Sequence, residues 1–220
     1  MNIIFNPNIT KQSLITNRLK QVATNINSVL KINLANVDFY IAHTPENRPV
    51  EQETMTAVTY ESGVIIIKLF MIDFTANELK SLLYHELNHA YRNQLSSTEQ
   101  NPTLFNWMLL EGLAVSFEKW AMRHFESSSA FCSPARTASN QQLLHGLSEI
   151  LKIDQQRVDW NYYDWFYNFD RISSMPTNFA YQIGEFLVEQ YCQRFQINPA
   201  HASELPNQTF LDFAEKLCAK

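Results

Sequence analysis

The sequence predicts an α+β fold with a small sheet in the N-terminal part of the chain and helices through most of the rest. The 220 residues include only four glycines and eight prolines, so few residues interrupt the backbone and long helices are favoured. Two short apolar segments separated by the turn sequence ESG indicate a β-hairpin. Hydrophobic residues make up 45% of the chain and charged residues 18%, which is typical of a globular protein. This length fits one domain, or one domain with two lobes around a cleft.

The first elements follow from hydrophobic spacing. Apolar residues three and four apart predict an amphipathic helix over residues 9–30. The segment VDFYIA, Val37 to Ala42, predicts a strand, and the polar segment from Pro45 to Glu53 predicts a loop. The segments TAVTY and VIIIKLF form the predicted hairpin, in which Gly63 is free to take a positive φ.

A well-marked helix follows the hairpin. Thr75 and Glu78 form a capping box, and apolar residues at helical spacing then continue to about Gln94. The segment SSTEQNP ends this helix. The aromatic segment Trp160–Phe169 has no clear assignment, and its spacing favours a role in the core over a role in a binding wall. Further helices are predicted over residues 102–125, 140–152, 178–195 and 208–218.

Composition and charge exclude several classes of protein. The net charge is −5, the pI is about 5.7 and the basic residues form no stripe, so we expect no nucleic-acid partner. The N-terminus lacks the pattern of a signal peptide, and Lys68 interrupts the most apolar segment, so we expect a cytoplasmic protein without membrane contact. The chain has three widely spaced cysteines, Cys132, Cys192 and Cys218. Their number and spacing indicate neither a disulfide framework nor a cysteine-based zinc site.

The segment HELNH carries the clearest chemical signal. His85 and His89 are four residues apart on the predicted helix, so both imidazoles lie on one face and can reach one tetrahedral zinc ion. Glu86 points about 100° away around the helix, a position that suits a general base acting on water held at the metal. The alternative is coincidence, since HExxH arises by chance in roughly one in a hundred chains of this composition.

A third ligand is available on the next predicted helix. Glu111, in WMLLEGLAVSFEKW, has apolar neighbours, and an unpaired carboxylate would be costly there. The alternative for Glu111 is a solvated helix glutamate. Two histidines and one glutamate leave a fourth position for water, which is the arrangement of a catalytic zinc site. Glu118 lies on the same face two turns later and either supports a ligand or is a surface charge.

The segments HELNH and EGLAVSFE together resemble the gluzincin metallopeptidases, in which a glutamate of an E-G-x-A segment is the third ligand. More narrowly, HELNHAYR, LLEGLAVSFE and PTNFAYQIGEFLVEQY resemble the bacterial YjaZ-like family of predicted zinc-dependent proteases. The resemblance implies a zincin-like fold, with a small sheet packed on the HExxH helix and a mostly helical C-terminal lobe. Residues 1–220 would form one catalytic domain, with an N-terminal α/β lobe over 1–95 and a helical lobe containing Glu111 over 96–220.

The expected function is that of a zinc-dependent hydrolase, most simply a metallopeptidase whose partner is a peptide or protein substrate. Glu86 would activate the water, and the resemblance implies that Tyr181 stabilises the oxyanion, although a packed helix tyrosine is the alternative. A second possibility is a non-proteolytic zinc-binding protein of the same fold, either chaperone-like or regulatory. The presence of Glu86 favours the hydrolase because a purely structural zinc ion needs no base.

Other residues near the motif have less definite predictions. Thermolysin-like enzymes place an acidic residue where this chain has Val115, so another group must orient the imidazole of His85. Arg92 is interpreted as a surface arginine, with pairing to a carboxylate or a substrate terminus as the alternative. The strand VIIIKLF is expected to be an edge strand that binds an extended peptide. Three histidines are interpreted as ordinary surface or core residues: His124, His145 and His201.

Overall fold

A computed structural model describes residues 1–44, 54–71, 73–95, 103–156, 160–167 and 176–219. The protein is α+β, with a small four-stranded sheet and mostly helical content, which confirms the predicted class. The strands are β1 (Asn2–Phe5), β2 (Asp38–His43), β3 (Met55–Thr59) and β4 (Val64–Leu69). The helices are α1 (Gln12–Leu30), α2 (Ala76–Leu95), α3 (Leu104–Glu126), α4 (Asn140–Gln156), α5 (Tyr162–Phe166), α6 (Phe179–Phe195), α7 (Pro199–Ser203) and α8 (Asn207–Cys218).

The long predicted helices all occur, and their ends differ from the predictions by a few residues. The short elements β1, α5 and α7 were not predicted, because four or five residues are too few to show a period. The predicted loop from Pro45 to Glu53 and the helix-ending segment 96–102 lie outside the described residues, as does the end of the aromatic segment. No helix within the described ranges is long and apolar enough to cross a membrane. The cytoplasmic location stays a prediction.

The sheet has the strand order β1-β2-β4-β3, in which β1, β2 and β4 are parallel and β3 is antiparallel to β4. The predicted hairpin is therefore confirmed, and Gly63 has a φ of 82° at its turn. The prediction that VIIIKLF is an edge strand is wrong, because β2 pairs with the other side of β4. Ile65, Ile67 and Leu69 of β4 are buried, and a nearly continuous apolar segment is typical of a strand inside a sheet.

Contacts divide the chain into two compact units, one comprising 1–97 and 117–132 and the other 98–116 and 133–220. Helix α3 is continuous and contributes its first half to the second unit and its second half to the first. The prediction of one catalytic domain with lobes over 1–95 and 96–220 stays a prediction.

In the first unit, α1, β3 and β4 contact the HExxH helix α2. The capping box that starts α2 is confirmed, because the Thr75 amide donates to the Glu78 carboxylate over 2.6 Å and the Glu78 amide donates to the Thr75 hydroxyl over 3.1 Å. Buried Lys80 of α2 forms an ion pair with Glu126 at the end of α3. The Tyr84 hydroxyl donates to the same carboxylate over 2.9 Å. These contacts fix α2 against the second half of α3.

In the second unit, the first half of α3 packs with α4, α5, α6 and α8 around one hydrophobic core. Asp154 caps the start of α3, since its carboxylate accepts from the amides of the first two residues of the helix over 3.1 and 2.8 Å. Helices α3 and α6 touch at two glycines, where a Cβ on Gly112 would lie 2.2 Å from the carbonyl carbon of Gly184. Trp165 and Phe166 are buried, so the described part of the aromatic segment contributes to the core, as predicted.

Candidate metal centre

The two histidines of α2 face each other in the way that the motif spacing predicts. Nε2 of His85 and Nε2 of His89 are 3.0 Å apart, and the rings are inclined by 74°. Two nitrogen ligands at about 2.0–2.1 Å from a tetrahedral zinc ion would be about 3.3 Å apart. A small rotation of either ring therefore suffices for both nitrogens to bind one ion.

Glu111 joins the two histidines. One carboxylate oxygen of Glu111 and one ring nitrogen of each histidine all lie within 4.8 Å of one another. The carboxylate is buried, with only 8% of Glu111 exposed. Two imidazoles and one carboxylate are the donors of a catalytic zinc site with three protein ligands, so this group fits a zinc ion. The structure thus brings together His85, His89 and Glu111, the three residues that the sequence predicts as ligands.

The second half of α3 runs antiparallel to α2. Along α2, Lys80 contacts Glu126 of α3, whereas His85 contacts Glu118 further towards the start of α3. The two helices are therefore antiparallel over this stretch. Glu111 lies two turns before Glu118 on the same face of α3.

Glu118 is a buried partner of His85 and not a surface charge. It has no exposed area, and its Oε2 lies 3.3 Å from Nδ1 of His85. Its Oε1 accepts hydrogen bonds from the Ser81 hydroxyl and, over 2.8 Å, from the backbone N–H of Cys132. A carboxylate at Nδ1 favours the tautomer with the proton on Nδ1, which leaves the Nε2 lone pair for a metal. The carboxylate of Glu118 therefore orients the imidazole of His85, which the apolar side chain of Val115 could not do.

Glu86 points to a different partner. Its side chain is 4% exposed, and its Oε2 accepts a hydrogen bond of 2.6 Å from the hydroxyl of Thr59. The same hydroxyl lies 3.0 Å from the carbonyl oxygen of Glu86. Among the described residues, Oε1 of Glu86 has no hydrogen-bond partner. Thr59 was not predicted as a partner of Glu86, because strand β3 and helix α2 are brought together only by the tertiary fold.

Tyr181 lies beside Glu111, next to a second tyrosine. Burial, followed by the negative charge of Glu111, raises the pKa of the Tyr181 hydroxyl well above its usual value, and this hydroxyl donates to Tyr162. The pKa of Tyr162 is raised by the same two causes. Phe166 stacks on Tyr162 at 4.2 Å and meets the ring of Tyr181 edge-on at 5.4 Å. Both hydroxyls therefore keep their protons at neutral pH. Tyr162 was missed because it lies in the segment that the sequence left unassigned.

The three remaining histidines agree with their interpretation as ordinary residues, whereas Arg92 differs from its prediction. His145 and His201 are exposed, and exposed His124 stacks on Trp120 with ring centroids 4.9 Å apart. Arg92 is only 4% exposed, so its interpretation as a surface arginine is wrong. It follows His89 by three positions on α2 and so lies on the same buried side of this helix.

The fold and the three converging side chains define an α+β protein with a histidine–histidine–glutamate group that could hold a metal ion. A family model described as "Predicted Zn-dependent protease (DUF2268)" matches residues 15–212, and the chain belongs to this family. This confirms the resemblance to predicted zinc-dependent proteases, and the family description agrees with the predicted zinc cofactor. Searches of curated proteins and of solved structures find no significant match.

Proposed function

We propose that the protein is a zinc-dependent metallopeptidase with a zincin-like fold and a gluzincin-type site. His85, His89 and Glu111 bind the zinc ion, and Glu86 acts as the general base. The observation that carries this proposal is the convergence of the three donor atoms within 4.8 Å, next to a glutamate that is held by a separate partner. The family description supports the same reaction class.

When bound, zinc polarises the carbonyl of the substrate and lowers the pKa of the attacking water. The protein's contribution begins with Glu118, which holds the proton of His85 on Nδ1 and keeps Nε2 directed at the ion. The carboxylate of Glu111 supplies a negative charge to a site whose other two ligands are neutral imidazoles. Three protein ligands would leave room at the ion for the water and the substrate.

Glu86 transfers a proton from the attacking water to the leaving amine. Its Oε1 takes a proton from the attacking water, whose oxygen then bonds to the carbonyl carbon, and it returns that proton to the leaving amine nitrogen. Burial of Glu86 removes bulk water that would otherwise compete for this carboxylate.

Tyr181 stabilises the negative charge that develops on the carbonyl oxygen. The charge of Glu111 helps to raise the pKa of this hydroxyl, which supports a position of Tyr181 near the ligand group, and a protonated hydroxyl can donate a hydrogen bond to the oxyanion. In the reaction the Tyr181 hydroxyl rotates, so that it donates its hydrogen bond to the substrate oxygen instead of to Tyr162. After product release the Tyr181 hydroxyl again donates its hydrogen bond to Tyr162.

The proposed substrate is an extended segment of a peptide or protein, and we propose neither nucleic acid nor a membrane as a partner. Within the described ranges, β3 pairs with β4 on one side only, so its other edge can accept an added strand. This edge strand ends at Thr59, the residue that contacts Glu86. A peptide bound along β3 would therefore run towards the general base.

The test combines metal analysis with hydrolysis of fluorescein-labelled casein and an internally quenched peptide library. We expect about one zinc ion per chain and peptide cleavage by the wild type. Glu86→Gln is expected to keep the zinc and lose the cleavage, because Glu86 is assigned as base and not as ligand. Protein that binds zinc but cleaves neither substrate would favour the non-proteolytic alternative. Loss of zinc in Glu86→Gln to the same extent as in His85→Ala would refute the role of Glu86.

A further inference from the structure

Thr59 is the last residue of the edge strand β3, and its hydroxyl meets the helix of the metal ligands. It lies 2.6 Å from Oε2 of Glu86 and 3.0 Å from the carbonyl oxygen of the same residue. The shorter contact joins a hydroxyl to a carboxylate, and such charge-assisted hydrogen bonds are shorter and stronger than those between neutral groups.

We propose that Thr59 is a positioning residue for the general base: its hydroxyl holds Oε2 of Glu86, so that Oε1 is presented to the attacking water. This inference rests on the proposed hydrolytic function. It adds a residue from outside the HExxH motif to the machinery of proton transfer.

A hydrogen-bond partner is needed because a glutamate side chain has three rotatable bonds and loses rotamer entropy when it is fixed in one orientation. The helix determines the direction in which Glu86 leaves the backbone, but it does not determine the orientation of the carboxylate plane. The hydrogen bond to Oε2 determines this orientation, and the nearby carbonyl oxygen of Glu86 keeps the Thr59 hydroxyl close to the helix.

The proton balance shows why Thr59 does not itself take part in the transfer. The proton of the attacking water moves to Oε1 of Glu86, and the electron pair that it leaves forms the new bond to the carbonyl carbon. When the carbon–nitrogen bond breaks, the same proton passes from Oε1 to the amine nitrogen. Thr59 keeps its own proton throughout and donates to Oε2 in both states of Glu86.

A purely structural role for Thr59 would be to join β3 to α2. Valine has nearly the same shape as threonine and favours strands, so Thr59→Val keeps the strand and replaces the hydroxyl with a methyl group. Thr59→Ser keeps the hydroxyl and removes a methyl group. Thr56 lies on the same strand and faces the opposite side of the sheet, so Thr56→Val is a matched control.

The kinetic experiment measures kcat, KM, zinc content and melting temperature for these three variants, with a casein-derived internally quenched peptide as the substrate. Thr59→Val is expected to lower kcat by about 10- to 100-fold, the range for a misplaced catalytic group. KM and zinc content should stay near the wild-type values. Thr59→Ser should recover most of the activity, and Thr56→Val should match the wild type.

A second readout does not depend on activity or on zinc. Urea unfolding of the metal-free protein is measured for Thr59→Val, for Glu86→Ala, which removes the acceptor, and for the double variant. If the hydroxyl binds the Glu86 carboxylate, the two changes should not be additive, and the coupling should be about 10-fold in the unfolding equilibrium. Additive effects would mean that the contact is energetically unimportant.

The two possible failures can be distinguished. Wild-type protein that cleaves no substrate would overturn the proposed function, and with it any catalytic meaning of the contact. An active wild type with a Thr59→Val variant of unchanged kcat would overturn only the assignment of Thr59. A Thr59→Val variant that loses its zinc or its folded state, while Thr59→Ser is equally affected, would show a structural role and would also overturn the assignment.

Discussion

Replacing Glu118 with glutamine should weaken zinc binding through the tautomer of His85. The glutamine has the same shape, but its two ends differ, because one is an acceptor oxygen and the other an NH2 donor. The backbone N–H of Cys132 can only donate, and it points at Oε1 over 2.8 Å. This favours the orientation with the glutamine oxygen towards Cys132 and the NH2 towards Nδ1 of His85.

An NH2 group at Nδ1 requires this nitrogen to accept, so the imidazole proton moves to Nε2. Nε2 is the nitrogen that faces His89 and that would bind the metal. Zinc binding must then reverse the tautomer or break the new hydrogen bond. Changes to such partners of zinc ligands typically lower metal affinity by about 10- to 100-fold, which corresponds to about 1.4–2.7 kcal/mol.

The assay is zinc titration in competition with a chromophoric chelator, together with long-range ¹H–¹⁵N NMR of the imidazoles in the metal-free protein. Glu189→Gln is the matched control, because Glu189 is a partly exposed helix glutamate whose partner, Arg136, is also partly exposed. A Glu118→Gln variant with the proton of His85 still on Nδ1 would refute the argument from the tautomer, and a variant with wild-type affinity would refute the role of Glu118 in zinc binding.

Three further changes test other parts of the site. Glu111→Ala should lower zinc affinity far more than Glu118→Gln, and equal losses in the chelator titration would mean that the third ligand is wrongly chosen. Tyr181→Phe should lower kcat by about 10²–10³-fold with KM and zinc content unchanged, and a near-normal kcat would remove Tyr181 from the mechanism. Gly112→Ala should destabilise the protein by about 1–3 kcal/mol or more, because its Cβ would lie 2.2 Å from Gly184; an unchanged melting temperature would contradict that close contact.

The grouping of His85, His89 and Glu111 was predictable because the positions of these residues depend on local rules. The capping box at Thr75 and Glu78 marks the start of α2, and once the helix is established the spacing of His85 and His89 determines a common face. Glu111 followed from a carboxylate in apolar surroundings on the next helix. Each of these inferences needs only helix geometry and the cost of burying a charge.

The partners of the site residues were not predictable in the same way. Thr59 and Glu86 are brought together by the packing of β3 on α2, and no local pattern distinguishes Thr59 from the other threonine of that strand. Tyr162 lies on a helix of five residues, too short to show a period. Glu118 could be interpreted either as the partner of a ligand or as a surface charge, because its position on the helix does not show whether it is buried.

The same limit applies to the sheet. The hairpin of β3 and β4 follows from a local turn, with Gly63 at a φ of 82°. The pairing of β2 with the other side of β4 is parallel and joins strands that are not adjacent in sequence. This pairing makes β3 the edge instead of β4, and sequence spacing contains no information on the order of strands in a sheet.

The two acidic residues assigned to support the chemistry share one arrangement. One oxygen of Glu86 accepts from the Thr59 hydroxyl, and one oxygen of Glu118 accepts from the Ser81 hydroxyl. The other oxygen of Glu118 faces Nδ1 of His85, and in the proposed mechanism the other oxygen of Glu86 would face the attacking water. Neither hydroxyl belongs to the three ligands, so both carboxylates are oriented independently of the metal. The HExxH spacing thus places the side chains on the correct face, whereas hydroxyl groups outside the motif determine the orientation of the carboxylates.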